Sequence, residues 1–249
     1  MNETIIDLLL SIPAVLLSLT LHECAHGYVA YRLGDPTARD LGRLTLNPIR
    51  HIDPIGALSL LIFRIGWAKP VPINPRNFKK PRAGMALTAL AGPVTNVLIA
   101  FFSTFFLLLC YAGAEKINVT SWGTSFLSLF LYYLFRFFYL LHIMNLALAL
   151  FNLLPLPPLD GSRILSLLLP RRAAFWVVRH ERQIYIFVLI WLVAGSYLAD
   201  FLLGIPAVAA SPVLSRLISV LSLTGWIGNA AKSISSRFIF LFLKIPFLS

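Results

Sequence analysis

The chain has 249 residues, of which 58% are hydrophobic and 12% are charged. Soluble domains carry roughly 25% charged residues, so the composition excludes an ordinary soluble protein and predicts an all-α polytopic membrane protein. The formal net charge of +11 does not indicate a nucleic-acid partner, because the basic residues are concentrated in two connectors rather than spread over one binding face.

Long apolar runs follow one another along the chain, and a helix needs about 20 residues to cross the hydrocarbon of a bilayer. Runs of that length lie at 5–31, 84–112, 124–153 and 184–204, with a weaker run at about 206–227. The first run lacks a convincing signal-peptide cleavage site, so we expect it to be retained as a span. The short aromatic tail at 235–249 favours a helix in the membrane interface. Cys24 and Cys110 are interpreted as packing thiols.

The connectors between these runs predict the orientation of the chain in the cell membrane. Nine Lys or Arg residues lie within 34–82, and five Arg residues lie within 163–182. The positive-inside rule therefore predicts that both connectors are cytoplasmic and that the N-terminus is outside.

The connector after the first span contains an apolar segment that is too short to cross the bilayer. It reads DPIGALSLLIFRIGWAKPVPINP, is interrupted by Arg64 and is closed by Pro70, Pro72 and Pro75. Segments of this length are typical of buried, re-entrant or interfacial structure. We expect a re-entrant segment or hairpin over about 54–75 that lies beside the polar residues of the first span, with a plain surface loop as the alternative.

The first apolar run contains the sequence HECAH. His22 and His26 are four residues apart, which on a helix places both imidazoles on one face, and Glu23 borders that face. This arrangement is typical of a zinc site whose glutamate acts as acid and base on a water activated by the metal. Packing histidines are the alternative, but ionisable groups inside a membrane are costly and usually functional. The motif predicts one Zn²⁺ per chain.

A catalytic zinc site needs a third protein ligand. Asp160 is the leading candidate, because three prolines stop the preceding helix and Gly161 allows a tight turn. Asn152 is a candidate for binding a substrate carbonyl. His51 and Asp53 are equally consistent with lining the cavity and with organising a turn. The less favoured ligand candidates are His142, Glu181 and Asp200.

Two further polar residues lie within the third long run. His142 is interpreted as an interhelical hydrogen-bond partner rather than as a metal ligand. Arg136 is interpreted as a cation that extends to the outer interface or pairs within the helix bundle.

These motifs together resemble those of the site-2 proteases, which are intramembrane zinc metalloproteases. The resemblance is closest to the compact prokaryotic group without a PDZ or CBS domain, and it covers roughly residues 15–165. It rests on HECAH at 22–26, GDPTARDLGRLTLNPIRHIDPIG at 34–56, GWAKPVPINP at 66–75, AGPVTN at 91–96 and FNLLPLPPLDG at 151–161.

The resemblance implies a three-span catalytic core with zinc held by His22, His26 and Asp160 and with Glu23 as the catalytic acid and base. It also implies substrate contacts by Asn152. The AGPVTN segment, including Asn96, is expected to act in core packing or substrate entry, and Asn96 and His51 are further candidates for substrate binding.

The expected organisation is a metalloprotease core over residues 1–165, followed by about two further spans of unassigned role within 166–249. The expected activity is hydrolysis of peptide bonds in a transmembrane protein or peptide within the lipid bilayer. The alternatives are a membrane zinc transporter or sensor, and a non-catalytic scaffold that grips membrane segments.

Overall fold

The computed structural model describes residues 3–56, 68–116 and 125–187 of the chain. The helices with defined bounds in these ranges are α1 (Glu3–Arg32), α2 (Thr37–Asp40), α3 (Pro81–Lys116), α4 (Phe126–Asn152), α5 (Asp160–Leu168) and α6 (Arg171–Arg179). Two short 3-10 helices, Pro48–Arg50 and Pro75–Asn77, lie between α2 and α3. Residues 181–187 are also helical. The all-α prediction is confirmed.

Three of these helices are long and apolar enough to cross a membrane. Within the described residues, the candidate spans are Leu9–Arg32, Pro81–Gly113 and Phe126–Asn152. They confirm the first three predicted runs, and they are helical because a helix satisfies every backbone polar group inside its own segment. Apart from its first four residues, the predicted run at 184–204 lies outside the described residues, as do 206–227 and 235–249 entirely.

The chain divides into two compact units, Met1–Ala149 and Leu150–Ser249. In the first unit, polar contacts join the three long helices. Asn145 Nδ2 of α4 donates to Ser18 Oγ of α1 at 2.8 Å. His142 Nδ1 of α4 lies 2.9 Å from both Thr104 Oγ1 and the Ala100 carbonyl of α3. His142 is therefore an interhelical partner, as expected, and such contacts fix the register of helices whose apolar faces have little driving force to associate in lipid.

Arg136 of α4 pairs with Asp7 of α1. Its Nε donates to Asp7 Oδ1 at 2.9 Å and its Nη2 donates to Asp7 Oδ2 at 2.6 Å. This bidentate geometry is stronger than a single hydrogen bond between an arginine and a carboxylate. Of the two interpretations of Arg136, pairing within the helix bundle is therefore the one that the structure supports.

Two glycines in the left-handed region shape the chain just after α1. Gly34 has φ +107°, and the N–H of Asp35 donates to the Ala30 carbonyl at 2.9 Å, which closes the helix end. Gly42 has φ +64° and is followed by Arg43, whose N–H donates to the Ala38 carbonyl at 2.8 Å. The two turns place Asp35 and Arg43 in the interior of the connector, where both are buried.

Residues 68–77, here called the strap, lead back toward α3. Ala68 forms an isolated antiparallel bridge with Ile52, and the Lys69 N–H donates to the His51 carbonyl at 2.8 Å. These paired ends agree with the hairpin expected over 54–75, although residues 57–67 lie outside the described ranges and the depth of the hairpin stays a prediction. Prolines at 70 and 72 favour an extended backbone for the residues before them.

In the second unit, α4 ends at Asn152 and α5 begins at Asp160, so the proline-rich sequence interrupts the helix as predicted. Gly161 lies inside α5 rather than at a left-handed turn. A Cβ atom at this position would contact the carbonyl oxygens of Leu153 and Leu154. The glycine is therefore required by a close approach of two backbone segments, which differs from the expected role in turn conformation.

Candidate metal centre

The two histidines of HECAH direct their side chains to one place beside α1. His22 and His26 are 6% and 7% exposed, and their Nε2 atoms are 3.0 Å apart. Two nitrogens bound to one tetrahedral zinc at the usual bond length are about 3.3 Å apart. The imidazole pair therefore has nearly the separation that a shared zinc ion requires.

The backbone of α3 determines which nitrogen of His26 is available to a metal. His26 Nδ1 lies 2.7 Å from the carbonyl oxygen of Thr88. A carbonyl oxygen can only accept, so Nδ1 carries the proton, and the lone pair of the neutral ring is on Nε2. Holding one ring nitrogen in this way is how proteins commonly orient a metal-binding histidine.

Gly92 of α3 provides the space for the two imidazole rings. A Cβ atom at this position would contact His22 Cε1, and it would lie 2.5 Å from His26 Nε2. Thr88 and Gly92 are four residues apart and therefore share one face of α3. Gly92 belongs to the AGPVTN motif, but its role in making room for the two histidine rings was not predicted from the sequence. The sequence signal for such a role was the position of Gly92 in a helix interior, because glycine there lowers helix stability by about 1 kcal/mol relative to alanine.

Glu23 is half-buried and is held by the strap. Its Oε2 accepts the backbone N–H of Val71 at 2.9 Å. The Val71 side chain is buried and faces Gly27, where a Cβ atom would lie 3.3 Å from Val71 Cγ1. The strap therefore lies against α1 at the position of Glu23. A segment beside the polar residues of the first span was expected from the sequence, but the hydrogen bond between Val71 and Glu23 was not.

The other predicted site residues lie in different surroundings. Asn96, one turn along α3 from Gly92, is 0% exposed, and neither polar atom of its side chain has a hydrogen-bond partner among the described residues. His51 is buried, with Nε2 2.8 Å from the Thr45 carbonyl, which favours the interpretation that it organises the connector. Asp160 and Asn152 belong to the second unit, where both are half-buried.

Comparison with known proteins relates the sequence to a peptidase family and to proteins named as zinc metalloproteases. The sequence profile of peptidase family M50 matches residues 10–196. A protein named "Putative zinc metalloprotease YwhC" from Bacillus subtilis (strain 168) is 45% identical over 186 residues, which is 74% of this chain and 80% of that protein. Two proteins named "Putative zinc metalloprotease Rip2", from Mycolicibacterium smegmatis and Mycobacterium tuberculosis, are 29% and 30% identical. The matched region covers 61% of this chain and 54% of each of those proteins. No solved structure matches the chain significantly.

Proposed function

The chain belongs to peptidase family M50, and on this premise we propose that its HECAH glutamate carries out the hydrolysis of peptide bonds in membrane-embedded protein substrates. The protein is a zinc metalloprotease, and three helices in the described part of the chain are able to span a membrane. The observation that carries the proposal is the pair of His22 and His26 Nε2 atoms 3.0 Å apart, with Glu23 next to them in α1. Family membership favours hydrolysis over the transporter, sensor and scaffold alternatives.

The proposed zinc ligands are His22, His26 and Asp160. The histidines each offer one ring nitrogen and Asp160 offers a carboxylate oxygen, a donor set that suits zinc better than magnesium or calcium. Support for Asp160 comes from its place as the first residue of α5, immediately after a helix interruption, and from the need for a third protein ligand beside the two imidazoles.

Glu23 is proposed to carry protons during hydrolysis. Zinc, when bound, supplies a Lewis acid that activates water and polarises the scissile carbonyl. Glu23 takes a proton from the attacking water and gives it to the departing amine, so that one carboxylate acts first as base and then as acid. Asn152 is proposed to donate its side-chain amide to the substrate carbonyl as negative charge develops there.

The proposed orientation places the N-terminus outside and residues 34–82 and 163–182 in the cytoplasm. The support is the concentration of basic residues in these two connectors. In this orientation His22, Glu23 and His26 lie near the cytoplasmic end of α1, and cleavage occurs toward that side of the membrane.

Replacing Glu23 tests the proposal directly. Purified wild-type protein and Glu23→Gln are reconstituted in lipid with a single-span substrate, and both cleavage and bound zinc are measured. We expect Glu23→Gln to keep one zinc per chain and to lose cleavage by about 100-fold or more. Glu181→Gln is the matched control, because Glu181 pairs with Arg163 in the second unit. Cleavage by Glu23→Gln at the wild-type rate would show that the proposed role of this residue is wrong.

The third ligand is tested by zinc content alone. Asp160→Ala is expected to lose zinc, and His51→Ala, in which the alternative candidate is removed, is expected to keep it. The opposite pattern would transfer the ligand assignment from Asp160 to His51.

A further inference from the structure

We propose that Asp35 and Arg43 are positioning residues for Glu23, and that they act through the strap. The inference rests on the proposed function, in which Glu23 carries protons. Glu23 Oε2 accepts the Val71 N–H, so the orientation of the carboxylate depends on the position of that backbone donor. With Oε2 held, Oε1 is the oxygen that exchanges the proton with water and with the leaving amine.

Arg43 holds the strap on one side of this donor. The buried guanidinium donates through Nη2 to the Lys69 carbonyl at 2.7 Å and also lies 3.4 Å from the Pro70 carbonyl. The Pro70 carbonyl and the Val71 N–H belong to the same planar peptide group. A contact that holds one end of this plane therefore also sets the direction of the N–H at its other end.

Asp35 holds the strap on the other side of Val71. Its Oδ2 accepts the backbone N–H of Asn74 at 2.7 Å, and its Oδ1 accepts the side-chain amide of Asn77 at 2.7 Å. Asp35 is 0% exposed, so these hydrogen bonds are shielded from competing water. The strap is thus fixed before and after the residue that contacts Glu23.

The prolines on either side of Val71 make this arrangement rigid and specific. Pro70 and Pro72 have restricted φ angles and carry no N–H, so Val71 is the single backbone donor over residues 70–72. The Val71 side chain packs against Gly27, one turn from Glu23 on α1. A strap that is fixed at both ends and stiff between them keeps the carboxylate in one orientation before the substrate binds.

The direct test removes the donor and keeps the rest of the strap. Val71→Pro deletes the N–H, whereas Val71→Ala keeps it and shortens the side chain. We expect Val71→Pro to lower kcat by about 10- to 100-fold with KM and zinc content unchanged, and Val71→Ala to keep most of the wild-type kcat. Equal kcat values for the two variants would overturn the proposal.

Asp35 and Arg43, the two anchors of the strap, are tested separately. The readout is hydrogen exchange of the Val71 amide in zinc-free protein, which does not depend on activity. Arg43→Ala and Asp35→Asn are expected to accelerate this exchange and to lower kcat without raising KM. Arg43→Lys, which keeps a hydrogen-bond donor, is expected to have a kcat between those of Arg43→Ala and the wild type. Arg39→Ala and Asp40→Asn are the controls, since these two residues form an exposed pair.

Two results would contradict the positioning role of the anchors. One is unchanged amide exchange and unchanged kcat in both anchor variants. The other is a parallel loss of zinc and activity, which indicates general structural damage. If the proposed function is wrong, the pattern is different, because Glu23→Gln would then cleave at the wild-type rate. If Glu23→Gln is inactive and Val71→Pro is fully active, only the positioning role is overturned.

Discussion

The Nε2 atoms of His22 and His26 lie 3.0 Å apart beside α1. The Thr88 carbonyl contacts the other ring nitrogen of His26, so one member of the pair already presents a lone pair in its neutral form. Two imidazoles held so closely in an apolar setting, with one ring oriented from a neighbouring helix, have the form of a site built for a cation.

We expect either His22→Ala or His26→Ala to reduce bound zinc from one ion per chain to a trace, because two remaining ligands do not form a stable tetrahedral site. Elemental analysis of the purified protein measures the stoichiometry. His180→Ala, which changes a histidine at the end of α6, should retain the ion. A full complement of zinc in His26→Ala would contradict the assignment.

Gly92→Ala is expected to lower both zinc content and activity. The added methyl group would overlap the rings of His22 and His26, and the backbone of α3 that carries it also supplies the Thr88 contact. In an open helix interior, the same substitution stabilises by up to about 1 kcal/mol, so helix propensity predicts the opposite sign. Gly113→Ala, with nothing within 4 Å of its new Cβ, is the control; equal zinc content in the two variants would refute the prediction.

Lowering the pH should reduce the stability of the connector that contains Asp35. Burial by itself disfavours the charged carboxylate, but hydrogen bonds from Thr37, Asn77 and Asn74 outweigh burial and lower the pKa of Asp35 below its ordinary value of 3.8. The folded protein therefore binds this proton less readily than the unfolded chain. The stabilisation is fully present well above pH 3.8 and is lost as the pH falls through the lowered pKa.

Thermal unfolding of wild-type protein and Asp35→Asn in detergent checks this dependence. The Tm difference between them should stay constant from neutral pH to about pH 5 and shrink below about pH 4. Asp40→Asn, at an exposed position, should show a much smaller difference throughout. A Tm difference for Asp35→Asn that grows on acidification would mean that the pKa of Asp35 is raised by folding rather than lowered.

The Asp7–Arg136 pair is expected to contribute to stability, because two parallel hydrogen bonds join α1 to α4. A double-mutant cycle with Asp7→Asn and Arg136→Gln measures the coupling. Since the two side chains are 40% and 21% exposed, we expect a coupling of about 1 kcal/mol, at the upper end for solvent-accessible pairs. The exposed Arg39–Asp40 pair should give a smaller value, and a coupling near zero for Asp7–Arg136 would reject the prediction.

The sequence predicted the three described spans and the histidine pair because both depend on local spacing. An apolar run of about 20 residues has few alternatives to a membrane helix, and residues four apart on a helix share a face whatever surrounds them. The end of α4 at Asn152 was also predictable, since prolines follow it closely.

The supporting contacts of Glu23 and His26 could not be predicted in this way. Val71 is 48 residues from Glu23 and Thr88 is 62 residues from His26. In both cases the group that makes the contact belongs to the backbone, which every residue has, so residue type carries no signal. Gly161 shows a related limit, because its role depends on two carbonyls brought near by the packing of the chain rather than on its own φ angle.

The long separation of Asp7 and Arg136 has a consequence for biogenesis. The two residues are 129 positions apart, and Ser18 is 127 positions from Asn145, so α1 is synthesised and inserted well before α4 supplies its partners. Until then, Asp7 at the start of α1 and Ser18 further along it lack the α4 side chains that pair with them. Assembly of the first unit is therefore completed only when α4 has been inserted, and a chain truncated before Arg136 can form neither of these two contacts.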